Sequence, residues 1–194
     1  MVAEVLAVTV NFIKCAHAEV TVTTELESVN IEVANLRQRE AAMREILQVT
    51  SVSRTDSAPV FETILKYAAR LSSAPQANLC ILDETRSHWK LAAHHGDGLR
   101  HLSVGKTTRL LDSKLVPAIS MRTSSVVNIE DLAATDLYLQ GDPGRVAMVQ
   151  EEGMRTILGV PLLLEGQSIG CITLFRREVK AFTQDEIDLV ETFA

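Results

Sequence analysis

Three groups of residues in this sequence have types and spacings that could do chemistry. The first is SVGKTTRLL, Ser103 to Leu111, in which Gly105, Lys106 and Thr107 reproduce the tail of a phosphate-binding loop. Such a loop aims successive backbone N–H groups at phosphate through a tight turn, which needs a glycine five residues before the second. Arg100 occupies that place, Gly96 and Gly98 lie too far upstream, and no apolar strand runs into the loop. The run therefore reads as a solvated basic loop, and no ATP hydrolysis is expected. The second group is His88, His94 and His95 on one β-like segment. His88 and His94 would share a face, but six residues of strand separate them by about 20 Å, too far for one metal. The third is Cys15, Cys80 and Cys171, which show neither CxxC pairing nor ligand spacing. No metal site and no disulfide framework are expected, and a reducing cytosol fits best.

The elements that would position these residues follow from composition and periodicity. A chain of 194 residues, with 46% hydrophobic and 23% charged residues, has material for one good core and an appendage. A formal net charge of −6 disfavours nucleic acid, whose recognition depends on clustered positive charge. The opening MVAEVLAVTVNFIKCAHA resembles a signal peptide only weakly, since Glu4 replaces a basic start and Lys14 interrupts its end. Its apolar run is shorter than the ~20 residues of a membrane span. A cytoplasmic location is expected. Residues 1–20 form an extension with no assigned role.

Within 21–54 the apolar residues Leu26, Val29, Val33, Leu36, Met43 and Leu47 recur at alternating steps of three and four, with Glu40 interrupting the seam. That heptad stripe predicts a signalling helix that dimerises as a parallel coiled coil; packing on its own domain is the alternative. Across such a seam Glu32 would face Arg37 favourably, and Arg39 would face Arg44 unfavourably.

In 55–194 a second helix carries Phe61, Ile64, Leu65, Ala68 and Leu71 on one face and should stop at SSAP. ANLCILD and HWKLAAHH read as one hairpin, and TILGVPLLL, EGQ and SIGCITLFRR as a second. The alternation of Ile169, Cys171, Thr173 and Phe175 with Ser168, Gly170, Ile172 and Leu174 leaves neither face polar, as in a strand covered on both sides. Between the hairpins, Gly96 to Glu152 is irregular with short helical pieces and one β-like run, SSVVNI. Thr183 and Glu186 stand at capping-box spacing before a final helix that is expected to be cut short by the chain end. The expected class is α+β: an antiparallel sheet with helices on one face and a wrapped loop region on the other.

The run RTILGVPLLLEGQSIGCITLFRREVKAFTQDEIDLVETFA resembles the C-terminal half of a GAF domain, in the order G-V-P-L, E-G-Q-x-I-G and F-T-x-x-E-I-x-L-V. LQVTSVSRTDSAPVFETILKYAARL, ANLCILDE and DLAATDLYLQGDPGR are similar to its opening helix, first strand and pocket-side loop. The likeness is to modules of bacterial sensor histidine kinases and related cyclases. It implies a loop-roofed small-molecule pocket on the sheet face away from the helices, with GKTT in a pocket-side loop. It also implies a regulatory module, not an enzyme, whose signal passes along a helical dimer to an output kinase or cyclase domain; neither output is visible in the chain.

Features of particular relatives are absent. Bilin-binding and sulfoxide-reducing members need an accessible reactive thiol, whereas Cys80 and Cys171 fall in strands. A haem-binding member needs an axial pocket histidine; His94, His95 and His101 are formally open, but no haem or bilin is expected and the ligand is unknown. Arg176 and Arg177 replace the Asn-Lys of cyclic-nucleotide members, and Asp185-Glu186 fall one place early after Phe182. A regulatory module of a nucleotide cyclase and a thiol-dependent methionine sulfoxide reductase are the alternatives. Arg100, Lys106, Arg109, Lys114 and Arg122 against Asp112 alone make the segment from Gly98 to Thr123 basic, which suits an anionic ligand or merely a solvated face. With the pocket placed by the resemblance, Arg109 and Arg145 are expected to make charge-assisted contacts and Tyr138 to form an aromatic wall.

Overall fold

A computed structural model describes residues 25–48, 57–100 and 103–194, which divide into two compact units, one ending at Glu45 and the other beginning at Ile46. Cys15 and His101, the extension 1–20 and the ends of the expected 21–54 helix at 21–24 and 49–54 lie outside the described residues. Helix α1 spans 25–48. Leu26, Val29, Val33, Leu36, Met43 and Leu47 are all exposed on it, as is Ile31, which lies off the stripe. Arg44 pairs with Glu40 one turn away at 3.3 Å.

In the second unit, β1 (Gln76–Leu82) and β2 (His88–His95) form one antiparallel hairpin, and β5 (Thr156–Leu164) and β6 (Gln167–Arg176) form the other. Pairing of β1 with β6 sets the hairpins side by side. Edge strands β3 (Thr107–Arg109) and β4 (Val127–Ile129) complete a six-stranded sheet of order β3-β2-β1-β6-β5-β4, antiparallel throughout. The β5–β6 turn has two residues, Glu165 at φ 52° and Gly166 at φ 77°, between the paired Leu164 and Gln167. Positive φ at both positions gives the turn twist that matches paired strands, and glycine adopts it without a steric penalty.

Because side chains alternate along a strand, each strand divides its residues between two layers. Ala77 and Leu79 of β1, Leu158 and Val160 of β5, and Ile172 and Leu174 of β6 meet α2 (Ala58–Leu71) and α6 (Gln184–Glu191) through Leu65, Ala68, Ile187 and Val190. Each large aliphatic side chain so buried contributes about 1.5–3 kcal/mol. Helix α6 starts on the expected capping box, Thr183 with Glu186. Arg176, only 1% exposed, ties that helix to the sheet: Nη1 donates to the carbonyls of Lys180 and Ala181, and Nη2 to that of Ser72 and to Glu186 Oε1 at 2.6 Å. Its guanidinium also lies 4.0 Å from the centre of the Phe182 ring.

The opposite face is covered by α3 (Val116–Thr123), a 3-10 turn (Leu132–Ala134) and α5 (Pro143–Gln150), with α4 (Asp136–Leu139) packed against the turn and α5. Helix α3 sits close against the sheet because Gly159 has no side chain: a Cβ there would stand 2.7 Å from Val116 Cγ1. The GKT run is not part of this roof. Gly105, at φ 89°, turns the chain into the edge strand β3; its N–H donates to Leu91 O at 2.7 Å, and that of Lys106 to Ser103 O at 3.0 Å. These N–H groups are occupied by the protein's own carbonyls and form no phosphate cradle.

Candidate functional site

The second face is not packed solid. Its floor consists of Asn78 and Cys80 from β1, Trp89 and Leu91 from β2, Ile157 from β5 and Thr173 from β6. Leu115, Val116 and Pro117 at the start of α3 roof it with Arg145 and Met148 of α5, while Leu132 and Met154 close the sides. The cavity has a volume of ≈ 30 Å³, enough to admit ordered water.

Arg145 enters this pocket because α5 is capped just before it. Asp142 accepts from the backbone N–H of Arg145 at 3.0 Å, and Pro143 pre-sets the first helical φ. The side chain is 3% exposed. Its Nη2 donates to Lys114 O over a long 3.4 Å, and its Nε has no partner among the described residues. Among the described residues no carboxylate pairs with it; burial pushes its pKa down, and the charge of Asp142 only partly opposes that shift. Trp89 is equally buried, and its indole Nε1 also lacks an acceptor. Asn78 Oδ1 lies 2.8 Å from His94 Nδ1, and His94 Nε2 lies 2.7 Å from Asp97 O.

The other expected ligand contacts lie elsewhere. Arg109 is on the edge strand β3, exposed and paired with Asp112 at 3.0 Å. Tyr138 is half-buried on α4, where its hydroxyl accepts from Gln150 Nε2 at 3.4 Å. Neither lines the pocket. Of the basic residues between Gly98 and Thr123, Arg122 holds the α3 approach by donating to Leu110 O and Ser113 O, and Lys114 lies 3.6 Å from Asp142. The buried cation comes from Arg145, beyond that segment. Trp89 escaped the sequence reading; a lone tryptophan alternating with Leu91 on a β-like segment was its available signal.

Cys80 and Cys171 face each other across β1 and β6, both buried and unbridged. Burial pushes the Cys171 thiol up to about 12 and the Cys80 thiol well up, with Cys171 adding to the latter. At neutral pH both stay protonated and are poor nucleophiles. Among the described residues no cluster of three His, Cys, Asp or Glu is arranged to hold a metal, and no helix is long and apolar enough to cross a membrane.

The geometry agrees with relatives of known structure. The GAF domain of a phosphoenolpyruvate-protein phosphotransferase from Acinetobacter superposes with a TM-score of 0.60 at 16% identity, covering 79% of this chain and 86% of that one. A type II free methionine-R-sulfoxide reductase from Thermoplasma acidophilum gives 0.53 at 17%, covering 70% and 85%. A domain assigned to a two-component sensor histidine kinase of Sinorhizobium meliloti 1021 gives 0.52 at 18%, covering 70% and 83%. At such identities the likeness speaks to fold alone. No curated protein matches the chain. The family model for the GAF domain matches residues 55–194, most of the length, and the chain belongs to the GAF domain family.

Proposed function

We propose that this chain is a sensory module of a bacterial signal-transduction protein of the sensor histidine kinase type. It binds a small molecule between the sheet and the α3–α5 roof, and it relays occupancy through a helical dimer to an output kinase or cyclase domain. The observation that carries this reading is the lined, incompletely filled pocket on one sheet face, with a buried arginine that no carboxylate pairs with among the described residues. A pocket of mostly apolar wall with a few polar groups is the usual form of a ligand site. The two buried, protonated thiols support a regulatory role over sulfoxide reduction. The exposed stripe from Leu26 to Leu47 supplies the apolar seam that a dimeric relay needs.

Native mass spectrometry of the protein purified from its host tests the ligand: a retained small molecule is the expected result, and none in any preparation contradicts the reading. Light scattering tests the relay. The wild type should be a dimer at micromolar concentration, and Leu36→Glu, which sets two charges in the seam, a monomer. A monomeric wild type would remove the dimer from the proposal.

A further inference from the structure

We infer that the pocket is built for a compact oxyanion, a carboxylate or an ion of nitrate size, whose oxygens accept from Arg145 and from the indole of Trp89. This rests on the ligand-pocket reading above and names the chemical class of the ligand.

Charge is the first ground. Among the described residues Arg145 is a buried guanidinium whose Nε has no acceptor and whose one side-chain hydrogen bond is the 3.4 Å contact with Lys114 O. Its neighbour Asp142 is already engaged, accepting from the Arg145 backbone N–H and lying 3.6 Å from Lys114 Nζ. A buried cation without a partner is among the costliest arrangements in a protein, and an anion in the adjoining cavity relieves it. Nε and one terminal nitrogen of a guanidinium form a planar fork matched to two oxygens of one group.

The donor and acceptor inventory gives the second ground. Trp89 lines the same pocket, and its Nε1, which can only donate, is buried with no acceptor among the described residues. Asn78 turns its Oδ1 to His94 Nδ1, so that acceptor of the lining is already engaged. The lining contains no Asp or Glu. The pocket thus presents unmet donors and a positive charge, which reject an amine or a metal cation. A neutral carbonyl compound would meet the donors and leave the charge unanswered.

Size gives the third. A cavity of ≈ 30 Å³ admits a compact group in place of ordered water. A nucleotide would require the roof to move.

Trp89 is the single tryptophan of the chain, so its fluorescence reports on this pocket. The full chain is titrated at constant ionic strength with acetate, nitrate and the neutral isostere acetamide, reading fluorescence and melting temperature. Acetate or nitrate should give a saturable change and raise the melting temperature, and acetamide should do neither. Arg145→Met should remove saturation over at least tenfold the wild-type midpoint, and Arg145→Lys should weaken binding about tenfold. Arg109→Ala should leave the midpoint unchanged. If Arg145→Met does not fold, Arg145→Lys carries the comparison, and an unchanged midpoint there overturns the assignment. Equal responses to acetate and acetamide, or undiminished binding by Arg145→Met, overturn the anion while the ligand pocket stands. No saturable response to either anion also overturns it, whereas the pocket reading falls only on the mass-spectrometric result.

Discussion

The two faces of one sheet are put to different uses. On the α2/α6 side, Leu158, Val160, Ile172 and Leu174 meet Leu65, Phe182 and Val190 in a cluster of aliphatic and aromatic side chains. On the α3/α5 side the same strands present Asn78, Cys80, Trp89 and Thr173 to Met148, Met154 and Arg145, and space is left between them. Branched aliphatic side chains have few rotamers and fix one packing, whereas methionine is unbranched and fills irregular gaps adaptably. One face is therefore closely packed, and the other leaves space between its side chains. An alternation of period two lets a single strand serve both without conflict.

The contrast can be broken most severely at Leu174. Leu174→Ala should cost about 2–5 kcal/mol, as in other close-packed cores. Met148→Ala, beside existing free space, should lose mainly the transfer contribution and so cost less, about 1.5–3 kcal/mol. Urea unfolding of both variants decides the point, and equal losses would mean that the two faces are packed alike.

Gly159→Ala tests how the roof is seated. The added Cβ would come 2.7 Å from Val116 Cγ1, on a stiff β-branched side chain at the start of α3, and overpacking of this kind costs about 1–3 kcal/mol. Thermal unfolding should show the loss, and Trp89 fluorescence should change as α3 shifts. A variant with wild-type stability would show that the roof is not held down at this position.

A smaller effect comes from the ion pair joining the roof to β5. Arg155 donates to Asp131 through Nε at 2.9 Å and Nη2 at 2.8 Å, and these bonds hold the Asp131 carboxyl below its usual range. Because the folded pKa is depressed, the contribution is fully present above the unfolded value of about 3.9 and is lost as pH falls through the lower folded one. Asp131→Asn should cost about 0.2–1 kcal/mol at pH 7, as for part-exposed pairs. Its melting temperature should converge with that of the wild type in strong acid. A difference that persists there would assign the effect to the local turn instead of the charge.

What could be read from the sequence tracks how local the determining contacts are. The β5–β6 hairpin and the Thr183–Glu186 cap are set by neighbours a few residues apart, and both were legible. So was the double coverage of β6, written in its alternation. Strand β3 was missed because three residues, two of them exposed, carry no periodicity; only pairing with β2 makes them a strand. Arg176 read as a departure from a family motif, while its partners reach as far back as Ser72. The pocket's polarity was half legible. A basic segment drew attention to Arg109, which solvates and pairs with Asp112, while Arg145 was named with it and is the one buried. Charge is visible in a sequence, but the absence of a counter-ion is a property of three-dimensional arrangement.

The central claim, that one face of the sheet is a ligand site and the other is not, is tested most directly by nuclear magnetic resonance with nitrate as probe. The Trp89 indole N–H and the Arg145 Nε–H should shift along one saturable curve. The methyl groups of Leu174, Leu158 and Val190 on the packed face should stay in place. Shifts spread evenly over both faces, or none at Trp89 and Arg145, would contradict the account.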